Sequence, residues 1–324
     1  MVSILKTLYR PEIFQGSLEK KHYFEGWYFK HVAADLGSVY SFIPGISLAE
    51  ERFAFIQILN GISGESEFIR YPIESFHFSK DRLWVKIGES VFTHNFIDLN
   101  IEGRYRGRLD YDGLHPYPST ILSPGIMGWY SFVPTMECNH GLVSMTHSLS
   151  GILETPHGPV DFNRGKGYIE KDWGTSFPES YLWLQCNNFN NAGTSMMLSV
   201  AKIPWKGHFF IGFLGFLLYE GKAMFFATYN NSRIHTFRRI SNDSIQIELH
   251  RRNIVLQLTI TGKSSGSLLA PKLGTMNNLI KESIDSEVFI RLLKDKNCVY
   301  EDLGHRAGLE VIEQIFSHKI EASI

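Results

Sequence analysis

Residues 181–187 read YLWLQCN. Strict alternation along an extended chain sets Trp183, Gln185 and Asn187 on one face and Leu184 and Cys186 on the other. Aromatic and aliphatic residues at that period make a strand. Just upstream, residues 168–174 read YIEKDWG, and far upstream residues 24–30 read FEGWYFK. All three stretches set acids or amides beside large aromatic surfaces. That pairing suits a greasy ligand with one polar end, and chemistry that makes a cation away from water.

Working outward, most of the chain reads as short strands between turns. In the first half the runs are 26–32, 38–43, 52–60, 75–78, 83–87, 96–102 and 105–111, separated by turn formers such as Asn60-Gly61 and Ser63-Gly64. Residues 115–134 hold Pro116, Pro118, Pro124 and Pro134, and are expected to form a long structured loop or crossover. In the second half the runs are 180–186, 194–203, 209–219, 223–229, 234–239, 244–251, 253–261, 289–293 and 309–316, with a helical turn or two expected at 278–283. Trp27 and Trp183 stand 156 residues apart (183 − 27 = 156), and Gly37 and Gly193 keep that spacing. The expectation is an all-β protein with little helix, built of two related β-domains packed together, residues 1–160 and 161–324.

Bulk composition agrees. Aromatic residues make up 14% and charged residues 20% of the 324 positions, a balance that favours strands. Lysine and arginine number 32 against 33 acids, so no basic surplus exists to neutralise phosphates, and nucleic acid is not an expected partner. The cysteines, Cys138, Cys186 and Cys298, form no C-x-x-C pair, which points to a reducing, cytoplasmic compartment. The N-terminus reads MVSILKTLYRPEIF and has no apolar stretch of signal-peptide length. The greasiest run, FFIGFLGFLLY at 209–219, is too short for a spanning helix and is expected to be a buried strand pair, although peripheral contact with a membrane stays open.

Candidate chemistry follows from the acids. Glu25, Glu170 and Asp172 each lie beside an aromatic cluster, and a carboxyl desolvated by aromatic walls can stay protonated and donate a proton. The competing reading is a carboxylate paired with Lys171 or Lys30. Trp27, Trp173 and Trp183 could line a pocket and stabilise a developing carbocation, or simply pack a core. If Trp183 faces a cavity, Gln185 and Asn187 face it too and could hold a ligand hydroxyl or carbonyl. Metal signals are poor: among 13 histidines there is no H-E-x-x-H and no H-x-H. No G-x-S-x-G elbow, Walker loop or G-x-G-x-x-G is present, so no nucleotide cofactor is expected.

On these residues the chain resembles the tocopherol cyclase family. FEGWYFK (24–30) is similar to that family's opening motif, and YIEKDWGTSFPESYLWLQCNNF (168–189) to its central signature. Weaker similarity covers 125–153, 269–271 and 308–311, so the resemblance spans nearly the whole chain. It implies a double lipocalin-like β-fold and a cofactor-free cyclisation. In that reaction a prenylated quinol is protonated on its nearest side-chain double bond and the phenol oxygen closes a chromanol ring. The resemblance would make Glu25, Glu170 or Asp172 the acid, and it favours Glu170, because the family also allows an amide at the position of Asp172. Trp27, Tyr28, Trp173 and Trp183 would form the cation-tolerant wall, and Gln185 and Asn187 would hold the head group. The leading expectation is therefore a cyclase acting on a hydrophobic isoprenoid. Two alternatives stay open: a non-catalytic isoprenoid carrier, and a hydratase or isomerase that uses the same protonated alkene.

Overall fold

The computed structural model describes residues 7–317. Among them the named helical pieces are 3-10 turns, and the rest of the regular structure is antiparallel sheet. No helix among the described residues is long and apolar enough to cross a membrane. The chain divides into two compact units. Of the described residues, the first holds 7–60, 65–177 and 267–280, and the second holds 61–64, 178–266 and 281–317.

The first unit contains β1 (Tyr23–Val32), β2 (Val39–Leu48), β3 (Arg52–Asn60), β4 (Ser66–Pro72), β5 (Phe76–Phe78), β6 (Trp84–Ile87), β7 (Ser90–Thr93), β8 (Phe96–Ile101), β9 (Tyr105–Asp112), β10 (Cys138–Thr155), β11 (Gly158–Asp161) and β12 (Lys166–Gly174). Its sheet runs β4-β3-β2-β1-β12-β10-β9-β8-β7-β6-β5, with β11 paired to β10. The two ends of that path, β4 and β5, are joined by one 3-10 turn, Ile73–Ser75. So short a link makes the sheet curl until its ends approach, as in a lipocalin-like barrel. Trp27, Phe29, Phe42, Ile56, Ile58, Phe92 and Leu109 fill the interior, each such burial stabilising by about 1.5–3 kcal/mol.

The second unit contains β13 (Tyr181–Cys186), β14 (Ser195–Trp205), β15 (His208–Tyr219), β16 (Lys222–Ala227), β17 (Arg233–Ser241), β18 (Ser244–Arg251) and β19 (Ile254–Thr261). After β20 (Gly266–Lys272), β21 (Thr275–Lys294) and β22 (Asn297–Val311) complete its sheet. The order is β16-β15-β14-β13-β22-β21-β19-β18-β17, and the ends β16 and β17 are again joined by one 3-10 turn, Thr228–Asn230. Leu184, Leu198, Leu217, Ile247, Leu258 and Ile290 pack inside. Both units thus repeat one plan: a four-strand meander, a tight turn, a second meander, and a last strand that pairs with the first.

Several expectations need correcting. Residues 278–283 are strand, because their backbone lies in the long β21 and Glu282 and Ser283 pair with Glu310 and Leu309 of β22. Residues 313–317 leave the last strand and form a 3-10 turn. The run 209–219 is one strand, paired along its length with β14, and Phe209 at its start is exposed. The compact units part after Phe177 rather than after residue 160, because β12 is held between β1 and β10.

The 156-residue repeat also needs a shift of register. Phe42 of β2 and Leu198 of β14 keep the spacing, but Phe42 pairs with Phe29 while Leu198 pairs with Leu184. β13 is therefore set one residue back, and Trp183 corresponds to Tyr28 rather than to Trp27. Trp183 stands opposite Glu310 just as Tyr28 stands opposite Glu170.

Candidate functional site

The pairing of β1 with β12 sorts the predicted acids onto two faces. Glu25 lies opposite Trp173 and Trp27 opposite Lys171, while Tyr28 lies opposite Glu170 and Gly26 opposite Asp172. Trp27 and Ile169 belong to the barrel core, so Glu25, Trp27, Lys171 and Trp173 occupy the inner face. Tyr28, Tyr168, Glu170 and Asp172 occupy the outer face. Glu25 is thereby separated from the other two acids.

On the inner face Glu25 is saturated with donors. Lys171 Nζ makes an ion pair with it, Tyr23 donates its hydroxyl at 2.5 Å, and the backbone N–H groups of Gln15 and Gly16 donate at 2.8 and 3.0 Å. Lys171 Nζ also donates to the carbonyls of Pro11, at 3.0 Å, and Ile13. Burial lowers the pKa of Lys171 against the pull of Glu25. The Trp27 ring centroid lies 4.6 Å and the Trp173 centroid 5.0 Å from that ammonium. These two indoles do surround a cation, but it is the protein's own. Trp27 Nε1 donates to the Glu12 carbonyl at 2.8 Å. The ion pair and Trp27 together tie segment 11–16 across the barrel. The approach is close at Gly141, where an added Cβ would lie 2.5 Å from Pro11 and 3.0 Å from Trp173.

The outer face carries a different array. Glu170 is 3% exposed. Tyr168 donates its hydroxyl to Glu170 Oε2 at 2.5 Å, and His140 Nε2 lies 3.5 Å from the same oxygen, an ion-pair contact longer than a good hydrogen bond. His140 Nδ1 meets Asp172 Oδ1 at 2.9 Å. β10 supplies this histidine because His140 pairs directly with Asp172 across the ladder. Burial pulls the imidazole down, but Glu170 and then Asp172 pull it up further, to about 9. His140 is therefore an imidazolium at neutral pH, held between two carboxylates. Burial and the neighbouring Glu170 push the Tyr168 phenol well above its ordinary range. The Cys138 thiol, near Asp172, is raised by burial and then by that carboxylate. His140, Glu170 and Asp172 offer ligand atoms within 4.8 Å of one another. Paired as they are, they form a proton-holding array: two acids, one charged base and one phenol, mostly out of water.

The first unit also holds a cavity of about 340 Å³, walled by Tyr9, Arg10, Leu83, Leu114, Tyr117 and Leu142 among others. That volume lies at the lower end of small-molecule sites. Leu142 stands opposite Glu170 in the β10–β12 ladder.

Trp183, Gln185 and Asn187 lie in the second unit. Trp183 and Gln185 share a face of β13, as the alternation implies, and Asn187 follows the strand's end; all three are buried rather than wet, with Gln185 fully inaccessible. Gln185 Nε2 donates to Asn187 Oδ1 at 3.4 Å, and Asn188 donates to the same oxygen at 3.2 Å. Tyr181 donates its hydroxyl to Glu310 at 2.7 Å, echoing Tyr168 and Glu170.

Sequence reasoning did not single out His140 or Tyr168 for a role. The period-2 run at 168–172 could have flagged Tyr168 beside Glu170. Only the strand register brings His140 to Asp172.

Comparison with known proteins gives the wider context. A family model described as tocopherol cyclase-like matches residues 116–312, more than half of the chain. A probable chloroplastic tocopherol cyclase of Oryza sativa subsp. japonica is 35% identical over 75 residues, 23% of this chain and 16% of that protein. A chloroplastic tocopherol cyclase of Zea mays matches with the same identity and coverage. The aligned stretch is thus a small part of each plant protein. Among solved structures, CghA with Sch210972 superposes with a TM-score of 0.60 at 10% identity, covering 89% of this chain and 88% of its own. That likeness is one of fold.

Proposed function

This chain belongs to the tocopherol cyclase-like family, and from that premise we propose that it catalyses acid-driven ring closure of a hydrophobic, prenylated phenol or quinol without a cofactor. The observation that carries the proposal is the largely buried Tyr168–Glu170–His140–Asp172 array on the outer face of β12 and β10. His140, held up to about 9, keeps its proton at neutral pH, with Nε2 3.5 Å from Glu170 Oε2. Transfer of that proton makes Glu170 a carboxylic acid. Glu170 then protonates the alkene carbon that leaves the cation at the more substituted position. The phenol oxygen closes on that cation, and the phenol proton returns to the Glu170 carboxylate. One C–H and one C–O bond form, one O–H and one π bond are lost, and the substrate is isomerised. Asp172 keeps the imidazole oriented, and the Tyr28 ring, on the strand position opposite Glu170, is offered as an aromatic wall for the transient cation.

Glu25 has no place in this scheme, because four donors already occupy its oxygens. The test is Glu170→Gln, assayed for turnover and for retention of a prenylated quinol. Turnover should fall by about 10²-fold or more, with retention unchanged. A variant with full activity would remove Glu170 from the mechanism, and a wild type that retains the lipid without converting it would make the protein a carrier.

A further inference from the structure

The second unit carries a cluster that the proposed reaction does not use. His235 of β17 and Glu248 and His250 of β18 offer ligand atoms within 4.8 Å of one another on the outer face of the β17–β18 hairpin. Glu248 and His250 share that face because they are two residues apart on one strand. His235 joins them through a bulge: the register breaks between Ile234 and Thr236, so two residues of β17 stand against Glu248. Bulges of this kind re-aim side chains at functional positions.

We propose that His235, Glu248 and His250 bind Zn²⁺ or a similar borderline divalent transition ion. Three points support this. First, both imidazoles converge on one carboxylate oxygen. His235 Nδ1 lies 3.4 Å from Glu248 Oε1, and His250 Nε2 hydrogen-bonds the same atom at 2.5 Å. Zinc bonds of about 2.0–2.1 Å in tetrahedral geometry set donors about 3.4 Å apart, so a metal would replace the shared proton after a small outward swing of the His250 ring. Second, the other carboxylate oxygen is already engaged. Gln257 Nε2 of β19 donates to Glu248 Oε2 at 2.8 Å, which fixes the carboxylate and leaves Oε1 for the ion. Third, the two rings are stacked, with centroids 4.8 Å apart and planes at 17°, so one ring must turn for its in-plane lone pair to meet the ion, and His235, 68% exposed at its side chain, has the room to do so. The fourth position therefore opens to solvent. Two imidazoles and one carboxylate select against calcium and magnesium, which take oxygen ligands. Arg233 stands opposite His250 and adds a positive neighbour, so binding must draw on the ligands themselves rather than on a general negative field. A bound ion would clip β17, the terminal strand of the sheet path, to β18.

The test is calorimetric titration of the untagged, chelator-stripped full chain with zinc chloride alone. The site predicts one strong equivalent. His235→Ala and His250→Ala should each weaken it by at least about tenfold, and Gln257→Ala by about 10-fold with every ligand intact. A merely sticky surface histidine would not respond to the glutamine. Unchanged circular dichroism would show that these surface variants fold. Absence of a stoichiometric ion in the wild type overturns the proposal. So does an ion that survives both histidine variants, and its loss in His140→Ala would place it on the other array.

Discussion

At the scale of single residues, two buried histidines and a partly buried one pull stability in opposite directions with pH. His31 and His147 lie in the first barrel, with His31 Nε2 2.6 Å from the Tyr111 hydroxyl and the His147 ring tilted against Tyr111 at 4.4 Å between centroids. Burial lowers His31 well below the usual histidine range and His147 to about 3. For such a group the unfolded chain takes the proton first. Stability is complete above about pH 6.5 and falls as pH drops, by about 1.4 kcal/mol per pH unit for each histidine. His140, raised to about 9, has the opposite sign. Its contribution is complete below about pH 6.5 and is lost as pH rises toward 9. Urea unfolding followed across pH should therefore show greatest stability near pH 6.5. His140→Gln should flatten the alkaline limb and leave the acid limb. A wild-type profile that is flat from pH 5 to 9 would contradict these assignments.

At the scale of elements, the strands with clean alternation were legible from the sequence. β3, β13, β18 and β19 lie where the aromatic and β-branched runs put them. The polar stretch 278–283 was not legible, because it lies inside the long β21, whose ladder with β22 begins at Glu282 and Ser283, and its own residues carry no strand signal. The candidate site was half legible. Glu170 and Asp172 announce themselves beside Trp173, but His140 is brought to them by pairing across strands 32 residues apart in sequence. Nor does any local spacing reveal that Lys171 fills the space between Trp27 and Trp173. That lysine has an element-scale consequence, because it and Glu25 together hold segment 11–16. Lys171→Met would leave the Glu25 carboxylate buried without its counter-charge and cost about 3–5 kcal/mol. The double variant with Glu25→Gln should recover part of that loss. Equal urea midpoints for the single variant and the wild type would show that the ion pair does not clamp the segment.

At the scale of the whole molecule, two sheets follow the same path, each closed by one 3-10 turn between its end strands. The one-residue shift in register is the informative departure. It makes Tyr28 with Glu170 and Trp183 with Glu310 counterparts, each glutamate holding a tyrosine hydroxyl. The repeated plan therefore carries the same aromatic–carboxyl pair twice, but among the described residues only the first copy adds a histidine between two acids. That asymmetry is why the proposed chemistry is assigned to Glu170. Its most direct test is mass spectrometry of a panel of prenylated quinols incubated with the protein in deuterated water. Acid-driven closure predicts a chromanol with one carbon-bound deuterium. Recovery of every quinol unchanged and without deuterium, in both the free and the protein-bound fractions, would contradict it.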